Sequence, residues 1–214
     1  MHKFHTHPLT TGHTRVNQWI SWKPPDWPWC TLNIDGAHNR NGISTAGGLI
    51  RDHMGHWLSG FGMMIGSCSI TVAELWGLYQ GLHLAWNSGI RRLKVKTDSR
   101  CVFQLVTKPT LDINHYAPLI QAIKDYLKFD WQVSISHIYR EAKFAAGYMA
   151  RLAFSSPLGF VVYPTLPLGV RSFLFHDAYG RAHPRSVVLY LCLEPLFYLK
   201  KKKKKKRNIL ELLR

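Results

Sequence analysis

The chain is short of acidic residues, with 12 Asp and Glu against 28 Lys and Arg and a formal net charge of +16. The excess is uneven, because residues 200–214, with the lysine run Lys200–Lys206, contribute +8 of it. Residues 29–153 carry thirteen Lys and Arg against eight Asp and Glu, a net charge of +5. A moderately basic surface favours a polyanion such as nucleic acid, bound less tightly as salt increases. An uninformative basic surface is the alternative interpretation.

Cysteines and long apolar runs are also scarce. The cysteines are too far apart for a zinc site or a disulfide framework, which indicates a reducing compartment; they are Cys30, Cys68, Cys101 and Cys192. The amino terminus lacks the apolar segment of a secretory signal. The longest apolar stretch, Ser186–Leu199, contains Glu194 and Pro195 and is too short to span a bilayer. These absences predict a soluble intracellular protein, nuclear or cytoplasmic, without a membrane partner.

The chain does have enough apolar residues for a core, since 46% of its 214 residues are hydrophobic and 13% are aromatic. That length predicts one domain with tails. We assign residues 1–28 to an irregular amino-terminal segment, 29–154 to the folded domain and 155–199 to a loop-rich extension. Residues 200–214 form a basic tail, which is interpreted equally well as a localisation or phosphate-binding segment and as an incidental extension.

Hydrophobic periodicity predicts a mixed α/β domain with the element order βββαβααβα. A strand that follows a crossover helix is expected to run parallel to its partner, so the sheet should be mixed, with helices packed on it. The predicted strands are Thr31–His38, Ala46–Asp52, Trp57–Ile65, Arg91–Asp98 and Trp131–His137. The predicted helices are Ile70–Asn87, Ser99–Val106, Tyr116–Lys128 and Ala142–Phe154.

Three of the few acidic residues stand at strand or helix ends. Asp35 closes the run 31–35, Asp98 closes the run 93–98, and Glu74 lies in the first turn of the first helix. Carboxylates gathered from different elements are typical of a divalent-metal site. Glu74 has a second interpretation, because Thr71 three residues before it would complete a capping box.

Five motifs in this order resemble the ribonuclease H type 1 domain, in the plant form found in retrotransposon-derived reverse transcriptases and stand-alone proteins. They are Ile34-Asp35-Gly36-Ala37, Ala46–Asp52, Ala73–Leu78, Thr97-Asp98-Ser99 and His137–Ala142. The resemblance covers residues 29–154. It implies a five-stranded mixed sheet flanked by helices, and endonucleolytic cleavage of the RNA strand of an RNA–DNA hybrid by two-metal hydrolysis.

The resemblance also implies roles for individual residues. Asp35, Glu74 and Asp98 match three catalytic carboxylates that bind Mg²⁺, with Mn²⁺ as a possible substitute. His137 matches the histidine of a mobile loop that assists proton transfer or product release. Hybrid would be contacted through backbone and 2′-hydroxyl groups. Residues interpretable either as such contacts or as ordinary turn and cap residues are Asn39, Asn41, Ser44, Ser99 and Arg100.

The chain departs from the family pattern at the start of the last helix. Gly147 stands where a fourth aspartate belongs, and Lys143 replaces an asparagine. A glycine supplies no ligand and costs a helix interior about 1 kcal/mol relative to alanine. We expect one metal site to be weakened and hydrolysis to be reduced, with a need for high Mg²⁺ or for Mn²⁺. The alternatives are a catalytically inactive nucleic-acid-binding module, a domesticated retrotransposon remnant or a fragment without function; a monomer is assumed.

Overall fold

A computed structural model of the protein describes residues 13–108 and 116–190. The strands are β1 (His13–Ile20), β2 (Cys30–His38), β3 (Ile43–Arg51), β4 (Trp57–Ser67), β5 (Arg92–Thr97), β6 (Gln132–His137), β7 (Gly159–Tyr163) and β8 (His183–Tyr190). The helices are α1 (Ile70–Asn87), α2 (Arg100–Thr107), α3 (Ala117–Leu127), α4 (Phe144–Leu152) and α5 (Leu168–Ala178). The predicted order βββαβααβα is therefore present from β2 to α4. The lysine run at 200–206 lies outside the described residues.

The main sheet has six strands in the order β6-β5-β2-β3-β4-β7. The β2–β3, β3–β4 and β4–β7 pairs are antiparallel, whereas β5 runs parallel to both β2 and β6. The prediction of a mixed sheet is confirmed. The sheet has one strand more than the predicted five, because β7 pairs with the outer edge of β4.

The segment predicted as a loop-rich extension contains regular structure. Residues 159–163 form β7, and residues 168–178 form α5. The prolines and glycines that suggested loops stand at the ends of these elements. Gly159 begins β7 with a positive φ of 109°, and Pro167 is the residue that precedes α5. Proline and glycine also mark the ends of short elements.

The chain divides into two compact units, one of which is residues 20–183. The other contains residues 1–19 and 184–214, and in its described part β1 and β8 form a two-stranded sheet. The amino-terminal segment was predicted to be irregular, so β1 corrects that prediction for residues 13–20. An eight-residue strand with an unclear polar alternation is difficult to recognise when its partner lies more than 150 residues away.

The core of the larger unit lies between the sheet and helices α1, α2 and α3. Its fully buried side chains include Leu32, Ile34, Leu75, Leu78, Leu82, Leu93, Val95 and Ile123. No helix in the described parts of the chain is both long and apolar enough to cross a membrane.

Helix α4 packs tightly on β3, and this contact positions the start of the helix at the site described below. A side chain at Gly47 would collide with the backbone of Met149 and Ala150. Thr45 Oγ1 donates a hydrogen bond to the Ala150 carbonyl oxygen over 2.7 Å. Glycine is therefore required at position 47 for the helix and the strand to approach this closely.

Candidate active site

The three carboxylates singled out in the sequence come together at one edge of the sheet. One oxygen of each of Asp35, Glu74 and Asp98 lies within 4.8 Å of the others. Strands β2 and β5 are parallel and pair as far as Asn33 and Lys96, so the residues that follow emerge at the same edge. Asp98 follows β5 directly, but Asp35 lies inside β2, which continues to residue 38 because it stays paired with β3. The expectation that Asp35 ends its strand was wrong.

Glu74 is not the cap of α1. Helix α1 begins at Ile70, and Ser69 Oγ accepts the hydrogen bond from the Val72 amide over 3.3 Å. The predicted capping box with Thr71 is therefore incorrect, and Glu74 lies in the second turn with its side chain directed to Asp35 and Asp98. The motif gave a wrong prediction because Ser69, two residues before Thr71, caps the helix instead.

Burial dominates the electrostatics of Glu74, which is only 7% exposed. Burial raises the pKa of Glu74 to about 8; the Lys143 ammonium opposes the rise, and the Asp35 and Asp98 carboxylates add to it. The amide of Gly36 donates to the carboxylate, but Glu74 Oε2 has no hydrogen-bond partner among the described residues. Burial also raises the pKa of Asp35, with Lys143 again opposing the rise. The site therefore has an incomplete set of partners for its negative charge.

Lys143 supplies a cation from within the chain. Its side chain is 1% exposed, and its Nζ lies 2.8 Å from Asp98 Oδ1 and is also ion-paired with Asp35 Oδ1. Lys143 is the residue immediately before α4, so the docking of α4 on β3 determines where its ammonium lies. The sequence marked Lys143 only as a replacement of an asparagine. Lys143 stands four residues before Gly147, and residues four apart at a helix lie on one face. That spacing could have predicted that both residues face the same site.

Gly147 faces the same cluster. A Cβ atom at this position would lie 2.8 Å from Asp35 Oδ2 and 3.5 Å from Arg151 Nη1, with no backbone atom among its nearest neighbours. A longer side chain at position 147 would thus extend into the carboxylates rather than into the core. Gly147 itself places no ligand atom next to Asp35.

His137 lies beside the carboxylates as the last residue of β6, opposite Thr97 in the parallel pairing with β5. Its Nε2 lies 3.1 Å from the Asp98 carbonyl oxygen. Because a carbonyl oxygen only accepts, Nε2 is the donor of this hydrogen bond. The family resemblance placed this histidine on a loop, whereas here it ends a strand.

A cavity of about 270 Å³ opens next to Asp35. Its lining contains three cationic side chains and one carboxylate; the residues are Asp35, Arg140, Lys143, Phe144, Gly147 and Arg151. Arg140 and Arg151 are exposed, and Lys143 is buried beneath them. The cavity therefore presents positive charge at its mouth and at its base.

The residues present fit one divalent cation better than two. Three carboxylates from different elements provide the oxygen ligands that Mg²⁺ and Mn²⁺ prefer. Glu74 Oε2 has no hydrogen-bond partner among the described residues, so this oxygen is available to bind a cation. The Lys143 ammonium, however, already lies between Asp35 and Asp98. A second ion would need a further carboxylate, and position 147 offers none.

The expected hybrid contacts near the site already have structural partners. Asn39 Oδ1 accepts hydrogen bonds from the amides of Asn41 and Ile43, so Asn39 stabilises the turn between β2 and β3. Ser44 is fully buried and donates to the Cys68 carbonyl oxygen. Ser99 caps α2 by accepting from the Val102 amide. The interpretation as turn and cap residues is confirmed for Asn39 and Ser99, whereas Ser44 is a buried residue of β3.

The comparisons with known proteins agree with this architecture. A family model described as "Reverse transcriptase-like" matches residues 33–153, more than half of the chain and all three carboxylates. The chain belongs to the reverse transcriptase-like family. The match begins in β2 and ends just beyond α4, so it includes Lys143 and Gly147 as well.

A relative of this reverse transcriptase-like chain is the Arabidopsis thaliana protein named "Putative ribonuclease H protein At1g65750". The two are 36% identical over 192 residues, which cover 88% of this chain and 31% of the relative. The chain thus spans about a third of that protein's length.

Solved structures of ribonuclease H share the fold. RNase H1 of the archaeon Halobacterium salinarum matches with a TM-score of 0.54 and 24% identity, over 59% of this chain and 97% of that one. The amino-terminal RNase H domain of Rv2228c from Mycobacterium tuberculosis matches with a TM-score of 0.55 and 20% identity, over 60% and 94%. LC11-RNase H1 in complex with RNA/DNA hybrid matches with a TM-score of 0.52 and 21% identity, over 58% and 95%. The predicted ribonuclease H-like fold and the resemblance to ribonuclease H are confirmed.

Proposed function

We propose that this chain is a ribonuclease H-type protein that binds RNA–DNA hybrid and cleaves its RNA strand at a reduced rate. The observation that carries the proposal is the convergence of Asp35, Glu74 and Asp98, with oxygens within 4.8 Å of one another, on a ribonuclease H-like sheet. The name of the Arabidopsis relative and the hybrid bound to LC11-RNase H1 support the same substrate class.

In this proposal, Asp35, Glu74 and Asp98 hold one Mg²⁺ or Mn²⁺ when Lys143 has withdrawn from them. An ion held there would supply the positive charge that lowers the pKa of an attacking water. Arg140 and Arg151 hold the phosphodiester over the carboxylates through charge-assisted hydrogen bonds. His137 Nε2 donates a hydrogen bond to the Asp98 carbonyl oxygen, and in this proposal Nδ1 is the nitrogen that accepts a proton during the reaction.

Two features of the chain reduce the expected rate. Gly147 contributes no fourth carboxylate, so a second ion lacks a protein ligand on that side of Asp35. The buried Lys143 ammonium must also leave Asp35 and Asp98 before an ion can bind between them. Cleavage should therefore require high Mg²⁺ or Mn²⁺.

A labelled RNA–DNA hybrid, incubated with the protein in Mg²⁺ and in Mn²⁺, tests the proposal. Cut RNA is expected from the wild type, faster cutting from Gly147→Asp, and none from Asp98→Asn. Asp125→Asn is the matched control, since Asp125 is an exposed carboxylate on α3 that pairs with Lys128. Equal cleavage by the wild type and Asp98→Asn would contradict the proposal, because the activity would then come from a contaminant.

The second candidate is a nucleic-acid-binding module without catalysis, a domesticated retrotransposon remnant. The ion pairs of Lys143 with Asp35 and Asp98 favour it, because they neutralise the site without a metal. Hybrid that is retarded in a gel but remains intact in both metals would support this candidate. Failure to bind any polyanion at low salt would instead indicate a fragment without function.

The proposed partner is nucleic acid rather than a membrane, and the proposed working form is a monomer. We place the protein in the nucleus or the cytoplasm, because Cys30, Cys68 and Cys101 are unpaired thiols, as expected in a reducing compartment. Fractionation of cells that express the full-length protein tests this location.

A further inference from the structure

We propose that the Lys143 ammonium is the resident cation of this site, so that the chain holds a nucleic-acid phosphate between Arg140 and Arg151 without any divalent metal. The identity of the ligand as nucleic acid rests on the proposed function. The competition between Lys143 and metal does not, because it concerns the protein alone.

The first support is the position of the ammonium. Lys143 Nζ is ion-paired with Asp35 Oδ1 and lies 2.8 Å from Asp98 Oδ1, which places it in the gap that a metal ion would bridge. Its side chain is 1% exposed, so these carboxylates rather than solvent are its partners. Removing a buried cation from two partly buried anions is unfavourable unless another cation replaces it.

The second support is that the backbone of Lys143 is fixed at the start of α4. The Lys143 carbonyl oxygen accepts hydrogen bonds from the amides of Ala146 and Gly147 over 3.0 and 3.2 Å, so Lys143 is the residue at which the helix begins. The far end of α4 is attached to β3 through Thr45 and the close approach at Gly47. The ammonium can leave the carboxylates only if its long side chain changes rotamer within a packed site.

The third support is the charge around the cavity. Without Lys143, Asp35 and Asp98 would face an incoming phosphate and repel it, and a metal ion would be needed to bridge them. With Lys143 in place, each of these carboxylates has a cationic partner. Arg140 and Arg151 at the mouth of the 270 Å³ cavity then remain to bind the phosphate.

Metal titrations of the protein alone test the competition. Calorimetric titrations with MgCl₂ and MnCl₂, together with thermal unfolding at each concentration, would compare the wild type, Lys143→Asn and the double variant Lys143→Asn/Gly147→Asp. We expect the wild type to show little binding and no shift in its unfolding midpoint. The double variant should bind metal at least about tenfold more tightly, with a midpoint that rises with metal concentration. Lys128→Asn, at an exposed lysine, should behave as the wild type does.

Anisotropy of a fluorescent RNA–DNA hybrid, at constant ionic strength, tests the metal-free contact with phosphate. The wild type should bind equally well in EDTA and in MgCl₂, within about twofold. Lys143→Asn should lose affinity in EDTA and recover it in MgCl₂. Arg140→Gln and Arg151→Gln should each weaken binding to all sequences and reduce the salt slope by about one.

Several results would overturn the inference. One is a wild type that binds Mg²⁺ as tightly as the double variant, and another is hybrid binding by the wild type that disappears in EDTA. If Lys143→Asn does not fold, the wild-type titration still decides, since tight Mg²⁺ binding overturns the inference and its absence supports it. If the wild type binds no hybrid in any buffer, both the phosphate contact and the proposed function are contradicted. The metal titration would still show whether Lys143 competes with metal.

Discussion

The Cβ position of Gly147 points directly at Asp35 Oδ2, from which a Cβ atom would lie only 2.8 Å away. The contact is with the end of a side chain rather than with backbone, so a new residue fits here if the Asp35 carboxylate, which is ion-paired with Lys143, shifts. Position 147 can therefore carry a ligand-bearing side chain once that carboxylate has moved.

Gly147→Asp should raise the rate of hybrid cleavage by about tenfold or more, because it adds a carboxylate next to Asp35 for metal binding. Single-turnover cleavage of labelled hybrid in Mg²⁺ would measure the gain. Gly147→Asn is the matched control, since it has nearly the same shape without the charge. A gain of equal size in both variants would show that helix propensity, rather than the carboxylate, is responsible.

Glu74→Gln should flatten the dependence of stability on pH. The folded-state pKa of Glu74, about 8, lies above the ordinary value of 4.5, so the folded protein retains this proton where the unfolded chain has lost it. Stability from this group is thus fully present below pH 4.5 and is lost as the pH rises through 8. At about 1.4 kcal/mol per pKa unit, the loss is on the order of 5 kcal/mol for a group this well buried.

Urea unfolding of the wild type and Glu74→Gln at pH 5, 7 and 9 in EDTA would measure this effect. The variant should gain stability relative to the wild type as the pH rises. A variant that becomes relatively less stable at pH 9 would contradict the raised pKa. Asp125→Asn, at an exposed carboxylate, should leave the pH dependence nearly unchanged.

Asp177→Asn should destabilise the larger unit by about 3 kcal/mol, because it leaves a buried guanidinium without its anion. Arg51 Nη1 donates to Asp177 Oδ2 over 2.7 Å, and Nη2 donates to Asn33 Oδ1 over 3.0 Å. The Arg51 side chain is 1% exposed and stacks on the ring of Trp22, 3.5 Å from its centre. Urea unfolding at pH 7 measures the loss; a change below about 0.5 kcal/mol would show that water replaces Asp177.

Removal of all residues after Ser155 should likewise destabilise the unit. The truncation deletes β7, which covers the edge of β4, and α5, whose Val170 packs with Leu49 and Met149. It also removes Asp177 from Arg51. We expect a lower unfolding midpoint and increased binding of a hydrophobic dye compared with a chain that ends at Gly180, which keeps both elements. Equal midpoints for the two truncations would show that residues 156–180 contribute nothing to stability.

Much of the fold follows from local patterns. The spacing of Leu75, Leu78 and Leu82 predicts α1, and short turns between apolar runs predict the β2–β3–β4 meander. Strand β7 and helix α5 were not predicted, because five to eleven residues between prolines carry too little periodicity. Their stability comes from contacts with β4 and α4 that are distant in sequence.

The order of the motifs was enough to group Asp35, Glu74 and Asp98 in one site and to show that position 147 lacks its carboxylate, because ordered motifs on predicted elements constrain both. What neutralises that site depends instead on how distant segments pack. Whether Lys143 points to solvent or between two aspartates depends on how α4 docks on β3, through Thr45 and Gly47. The packing of the fold also makes Glu74 a buried member of the cluster rather than a helix cap. Burial depends on contacts between distant segments and not on local spacing, so the sequence pattern could not show it.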